Sequence, residues 1–202
     1  MNKYNQISLN SLANYLIPQK SWVKSGRVIW ITGLSGSGKT SLAIEMSKVL
    51  AAEGIHPILL DGDEMRKNLF GNIIPEDNYS NKSRKTFGKA YSDLSYFLAS
   101  QGFIVITSVI AMFEEVFSWN KVNLPGYFEI YLKTSLSDLR NENSKGIYSD
   151  FEKGIINNLP GVNLKIDEPK KPNLILEKKS NFSAEEKAAE VISLLKNKRY
   201  FE

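Results

Sequence analysis

Apolar residues recur along this chain in two rhythms that take turns. Short, nearly unbroken apolar runs rich in β-branched residues occur at 27–33 (RVIWITG), 56–63 (HPILLDGD), 103–110 (FIVITSVI), 127–133 (YFEIYLK) and 173–177 (NLILE). Each has the length and make-up of a strand buried on both faces. Between them the apolar spacing becomes helical. Leu42, Ala43, Met46, Val49 and Leu50 share one side of a helix over 39–52. Phe87, Ala90, Tyr91, Leu94, Phe97 and Leu98 do the same over about 82–100, and Gly54 and Gly102 stop these two helices. Residues 112–122 and 184–198 also predict helices. Strands alternating with helices predict an α/β fold, a parallel sheet flanked by helices on both faces. Such sheets bind ligands beyond the carboxyl ends of their strands. Residues 141–172 keep neither rhythm and are rich in Gly, Asn, Lys and Pro. A stretch of that length predicts a functional lid or a mobile loop. Residues 1–25 are expected to form an arm packed on the domain or on a second subunit, and residues 26–202 a single domain.

The first strand runs straight into Gly33-Leu34-Ser35-Gly36-Ser37-Gly38-Lys39-Thr40-Ser41. This is the full GxxxxGK[ST] pattern in its required context, strand before and helix after. The glycines let backbone N–H groups turn inward as an anion nest, and the following helix start adds partial positive charge. Lys39 is then placed for the β- and γ-phosphates of ATP, and the Thr40 hydroxyl for Mg²⁺. The pattern predicts a P-loop NTPase-type fold and a bound nucleoside triphosphate. It leaves hydrolysis and phosphoryl transfer both open.

The end of the second strand, DGDEMR, separates them. An acceptor hydroxyl needs an orienting or deprotonating carboxylate, which Asp61 or Asp63 can supply, with Asp61 also near the metal. Arg66, one turn on, can grip an anionic acceptor. A competing reading makes the aspartate a helix N-cap among solvated charges. The third strand ends in TSVIAMF without the acid a switch NTPase needs there. A small-molecule kinase is therefore expected.

Composition changes this picture little. The net charge is +4, from 26 basic and 22 acidic residues spread along the chain, so charge implies no nucleic-acid partner. With no cysteine there is no disulfide, thiolate metal site or thiol nucleophile. No apolar run reaches the roughly 18 residues of a membrane span, and residues 1–24 lack a signal-peptide core. A soluble, cytoplasmic enzyme with no membrane partner is expected. His56, the only histidine, starts a strand and is read as structural.

Several segments together resemble the adenylylsulfate kinase family over residues 26 to about 178. GLSGSGKTSLA matches that family's version of the phosphate loop. LLDGDEMRKNLF resembles its LDGDxxRxxL segment, YSNKSRK its FSxxDRxxN segment, and SKGIYSDFEKGIINNLPGVNLKIDEPKKPNLIL its lid. The resemblance implies transfer of the γ-phosphoryl of ATP to the ribose 3′-hydroxyl of adenylyl sulfate. It implies Asp61 and Asp63 at the acceptor hydroxyl and Mg²⁺, Arg66 and Arg84 on the acceptor's anionic groups, Tyr79 stacked on its base, and Lys145 reaching over from the lid. It also implies a homodimer.

The chain departs from the family at Phe87 (asparagine in the family), at Lys89 and Ala90 (an arginine pair), at Ile110 to Glu114 (ISPYR), and at Glu142 and Asn143 (RD). The catalytic parts are kept and acceptor contacts such as the Ile110 segment are altered, so the acceptor is where discrimination can change. A divergent branch of the family, found with surface-polysaccharide genes, is also resembled. One member of it phosphorylates the 3′-hydroxyl of cytidine diphosphoramidate. A nucleotide-binding regulatory subunit without catalysis and a plain nucleotide kinase are the other readings.

Overall fold

A computed structural model describes residues 26–70, 80–177 and 182–202. The expected arm at 1–25 and Tyr79 lie outside the described residues.

Five strands form one sheet: β1 (Arg27–Thr32), β2 (Ile58–Asp61), β3 (Ile104–Val109), β4 (Phe128–Lys133) and β5 (Leu174–Glu177), in the spatial order β2-β3-β1-β4-β5. Every neighbouring pair is parallel, with Trp30 opposite Thr107 on one side and Glu129 on the other. The helices are α1 (Lys39–Ala52), α2 (Gly62–Met65), α3 (Asn81–Ser100), α4 (Glu114–Asn123), α5 (Leu136–Glu142), α6 (Ile147–Glu152) and α7 (Ala184–Asn197). A single π-helical turn, Arg66–Phe70, continues α2.

The alternation of strand side chains builds two cores, one on each face. Ile29 and Ile31 pack with Leu42, Met46, Ile130 and Val191 under α1 and α7. Val28 and Trp30 pack with Phe87, Tyr91 and Val105 under α3. Burying each such side chain stabilises by about 1.5–3 kcal/mol relative to leaving it in water. The capping box at Ser183 and Glu186 starts α7 and fixes its entry onto the first core.

Two elements differ from the sequence expectation. The second apolar run is strand only over Ile58–Asp61, because Asp61 becomes the N-cap of α2 and the chain turns there. Residues 141–172 hold more regular structure than their lack of rhythm suggests: the end of α5, all of α6, and a set of turns. Their order comes from tertiary contacts. A third core joins Leu34, Met112, Tyr131, Leu139, Tyr148 and Leu159 at the carboxyl end of the sheet. Glu114 N–H, at the start of α4, donates to Asp167 Oδ2 at 3.0 Å, and Asp167 N–H donates to the Met112 carbonyl at 3.0 Å. A side chain at Gly161 would meet Leu34 at 2.8 Å, so this segment lies directly on the phosphate loop.

Candidate active site

The sheet order reverses direction at β1, with β3 on one side and β4 on the other, and the loops leaving β1, β2 and β3 gather at this point. The loop after β1 is the glycine-rich stretch. At Gly33 (φ 152°) a Cβ would lie 2.6 Å from the Leu132 carbonyl oxygen, so only glycine lets the loop pass β4 so closely. Gly38 (φ 91°) caps α1 with no side-chain hydrogen bond and no acid in the first turn. The first N–H groups of α1 therefore face outward as an anion site.

Lys39 is 8% exposed, and its Nζ donates to the Leu34 carbonyl at 2.8 Å, folding the side chain back over the loop. Burial, with Lys145 nearby, pulls its ammonium down to about pKa 8, against the opposing pull of Asp63 and Asp61. The Thr40 hydroxyl donates to Asp61 Oδ2 at 2.7 Å. Asp61 Oδ1 accepts from the N–H groups of Asp63 (3.0 Å) and Glu64 (3.3 Å). One carboxylate oxygen of Asp61 thus caps α2 and the other holds the phosphate-loop hydroxyl of Thr40.

Asp63 stands one step beyond on α2. Lys145, from the 141–172 segment, donates to Asp63 Oδ2 at 2.7 Å, and Arg66 Nη1 lies 3.9 Å from Oδ1. Burial opposes ionisation of Asp63, but Lys145, with Arg66 and Lys39 behind it, outweighs that and holds the carboxyl below its ordinary range. Arg66 is carried on the ring face of Phe87, 5.0 Å from its centroid. Tyr91 stacks beside Phe87 and donates its hydroxyl proton to the Gly62 carbonyl at 3.0 Å, bracing α2. Phe87, the departure from the family's asparagine, is thus a platform for Arg66.

Two cavities flank this centre. One, of ≈ 500 Å³, lies along Gly36, Ser37, Gly38, Thr134, Glu142 and Phe182. The other, of ≈ 840 Å³, is lined by Asp63, Arg66, Lys67, Arg84, Ile110 and Lys145, and on another side by Ile155 to Pro160. A narrow space of ≈ 20 Å³ lies against Lys39, Thr40, Asp61, Asp63 and Lys145 and shares residues with the larger cavity. The arrangement suits two ligands approaching one another across Lys39 and Asp63.

The structure brings together Gly33 to Ser41, Asp61, Asp63, Arg66, Arg84, Ile110 and Lys145. Arg84, expected at the acceptor, is only 7% exposed and lines the larger cavity. His56 is exposed and precedes β2, at the opposite end of the strand from the site. Lys89 pairs with Asp93 and lies 3.8 Å from the centroid of the Trp119 ring, outside both cavities. Asn143 accepts from Tyr148 N–H at 3.1 Å and so supports the start of α6.

Sequence reasoning missed Lys67, Ser108 and Tyr148. Ser108 is opposite Asp61 in register, and its buried hydroxyl has no hydrogen-bond partner among the described residues. Tyr148 donates to the Ser35 carbonyl at 3.0 Å, tying α6 to the phosphate loop. Nothing local marked Lys67 or Ser108. Tyr148 was visible in the KGIY stretch.

The fold and this centre define a P-loop phosphotransferase with one cavity along the phosphate loop and another beside Asp63 and Arg66. The adenylylsulphate kinase family model matches residues 25–177, and the chain belongs to that family. It is accordingly a kinase that acts on an alcohol group. It is 33% identical over 177 residues to an adenylyl-sulfate kinase from Oceanobacillus iheyensis, covering 86% of this chain and 85% of that one. It is 32% identical over 168 residues to a cytidine diphosphoramidate kinase from Campylobacter jejuni, covering 83% and 95%. Its fold superposes on the Mycobacterium tuberculosis APS kinase CysC in complex with AMPPNP and APS with a TM-score of 0.76, at 30% identity, over 85% of this chain and 98% of that one. No helix among the described residues is long and apolar enough to cross a membrane.

Proposed function

We propose that the protein transfers the γ-phosphoryl group of ATP to the ribose 3′-hydroxyl of adenylyl sulfate, giving 3′-phosphoadenylyl sulfate. The observation that carries this reading is that Lys39, Thr40, Asp61 and Asp63 line one narrow space, which continues through Asp63, Arg66 and Lys145 into the larger cavity, while a second cavity lies along the same phosphate loop. The smaller lies along the phosphate loop and takes the donor. The larger holds Arg66, Lys67, Arg84 and Lys145 against the single acid Asp63, a balance suited to an acceptor with more than one negative charge.

A Mg²⁺ ion fits this centre. The Thr40 hydroxyl and the Asp61 carboxylate already sit 2.7 Å apart, and no cluster of three His, Cys, Asp or Glu side chains is present among the described residues. That suits an ion that takes one or two protein oxygens and completes its shell with phosphates and water. Bound there, Mg²⁺ would neutralise charge on the β- and γ-phosphates.

Lys39 swings from the Leu34 carbonyl to the phosphates. Asp63 orients the 3′-hydroxyl; the new bond joins that oxygen to the γ-phosphorus while the β–γ bridging bond breaks, and the hydroxyl proton passes to Asp63. In a loose transition state the proton leaves late, so a weakly basic, firmly ionised carboxylate suffices. Tyr148 couples the segment over the acceptor to the loop under the donor through Ser35.

A second reading takes cytidine diphosphoramidate as the acceptor. It is supported by the resemblance to the Campylobacter jejuni kinase across 95% of that protein. ADP release measured side by side with the two acceptors decides between them. Faster turnover with adenylyl sulfate is the expected result, faster turnover with cytidine diphosphoramidate establishes the second reading, and no turnover with either leaves a nucleotide-binding protein of another kind.

A further inference from the structure

The narrow space against Lys39 has a wall that the mechanism leaves unused. Ser108, near the carboxyl end of β3, lines it beside Lys39, Thr40 and Asp61. A switch NTPase carries its metal-side acid at such a strand end, and this chain has a hydroxyl there instead. Ser108 is 2% exposed, and its hydroxyl has no hydrogen-bond partner among the described residues. Thr32, Ser37 and Tyr127 also hold buried hydroxyls without a partner among those residues, but none of the three lines this space. A buried hydroxyl left unpaired loses free energy that a ligand can restore.

The sheet fixes where that hydroxyl stands. Ser108 is the register partner of Asp61 on the neighbouring parallel strand. Ile106 and Leu59, two residues back on each strand, pack in or against the core under α1. Strand alternation puts Ser108 and Asp61 on that same face. There α1 begins, with Lys39 and Thr40. Asp61 is already engaged: Oδ1 caps α2 and Oδ2 accepts from Thr40. A serine oxygen is one bond nearer its strand than a carboxylate oxygen. Beside Asp61 it stops short of an ion that Asp61 reaches, and the gap suits a water.

We infer that Ser108 is a positioning residue for the metal, its hydroxyl accepting from a water of the Mg²⁺ shell. This rests on the reading of Thr40 and Asp61 as the ion's protein oxygens, and not on which acceptor the enzyme uses. Mg²⁺ gives up its waters reluctantly and keeps several where the protein offers one or two oxygens. Each such water is a strong donor that needs an acceptor. Around the space Lys39, Arg66 and Lys145 only donate, and Asp63 is held by Lys145. Ser108 supplies a lone pair on the sheet side. In the free enzyme Lys39, folded onto Leu34, and the Thr40–Asp61 hydrogen bond keep the space narrow. The proposed swing of Lys39 to the phosphates and the parting of Thr40 from Asp61 around the ion open it to Ser108.

The test reads the dissociation constant of a non-hydrolysable ATP analogue by calorimetry, with excess Mg²⁺ and again with EDTA. In the wild-type enzyme Mg²⁺ should tighten binding. In Ser108→Ala that gain should shrink by about 10-fold, the scale of losing a partner that holds a metal's ligand. Affinity in EDTA should stay within about twofold. Without ligand, Tm should be unchanged or higher, since the alanine removes an unpaired buried hydroxyl. A merely structural serine would instead lower Tm and leave the Mg²⁺ gain intact. Ser108→Thr keeps the hydroxyl and should keep most of the gain. A full Mg²⁺ gain in Ser108→Ala, a loss equal with and without the ion, or an equal loss in Ser108→Thr overturns the role of Ser108. Wild-type affinity indifferent to Mg²⁺ overturns instead the ion site at Thr40 and Asp61 beneath it.

Discussion

In the proposed assignment, the donor and acceptor halves of the active site are built from different materials. The donor half is largely backbone: a run of eight residues, Gly33 to Thr40, whose glycines bend the chain and whose N–H groups open toward phosphate at the start of α1. The acceptor half is side chain. It gathers Asp63, Arg66 and Lys67 after β2, Arg84 from α3, Ile110 after β3, and Lys145 with Ile155 to Pro160 from the segment before β5. Backbone amides recognise any phosphate in much the same way, because every chain carries them. Side chains drawn from four places discriminate, because each can differ without disturbing the others. On that assignment, fold and reaction class rest with the first half and the choice of acceptor with the second. The chain's departures from its family at Phe87, Ile110 and the 141–172 segment fall in or beside the second.

The comparison breaks first at its join. Lys39 belongs to the donor loop yet faces Asp63 and Lys145 across the narrow space. Lys39→Ala should lower kcat by at least about 1,000-fold, the scale of losing a cation that stabilises transferring phosphoryl charge. Single-turnover kinetics should show the loss in the chemical step. A KM effect alone, with kcat retained, would reduce Lys39 to a binding residue. A smaller loss is expected on the acceptor side. Asp63→Asn keeps size and hydrogen bonding but cannot take the proton, and should cut turnover roughly 100-fold, with ATP binding by calorimetry unchanged. Near-native turnover would remove Asp63 from the chemistry and leave it a partner for Lys145 and Arg66.

The same division explains what could be read from sequence. The donor half is contiguous and carries its own local pattern, so strand, loop and helix were all legible, with α1 predicted at its observed bounds, Lys39 to Ala52. Asp61, Asp63 and Arg66 were legible because they end an apolar run. The segment at 141–172 was legible as a family resemblance and not as structure. Its helices are only 7 and 6 residues long, where α5 and α6 are concerned, too short to show a period or to stand alone. They are held by Tyr148 on Ser35, by Asp167 on α4, and by Leu139, Tyr148 and Leu159 in the third core. Lys67 and Ser108 have no local signal, because a side chain becomes part of a cavity only when distant segments close around it. Phe87 looked like the loss of a polar contact. Its value as a platform for Arg66 needed the fold to put α3 beneath α2.

The smallest expected effect separates the halves by pH. Burial and the neighbouring Lys145 hold Lys39 at about pKa 8. ATP brings negative charge against its ammonium, which favours the protonated form and raises its pKa on binding. Binding is then coupled to proton uptake wherever the free enzyme has lost the proton and the complex has kept it. Below about pH 7 Lys39 is charged in both states and affinity is flat with respect to this group. Above about pH 8 each unit should cost up to a tenfold rise in the dissociation constant for ATP, until the bound state titrates as well. Asp63 on the acceptor side gives no such slope in that window, since it is held ionised well below it. Titration calorimetry of a non-hydrolysable ATP analogue from pH 6.5 to 9.5, in buffers of differing ionisation enthalpy, reads both the affinity and the protons taken up. A flat profile with no proton uptake would place Lys39 in an ordinary solvated state. A slope shared equally by the acceptor's dissociation constant would erase the distinction between a donor half that titrates through its buried lysine and an acceptor half that does not.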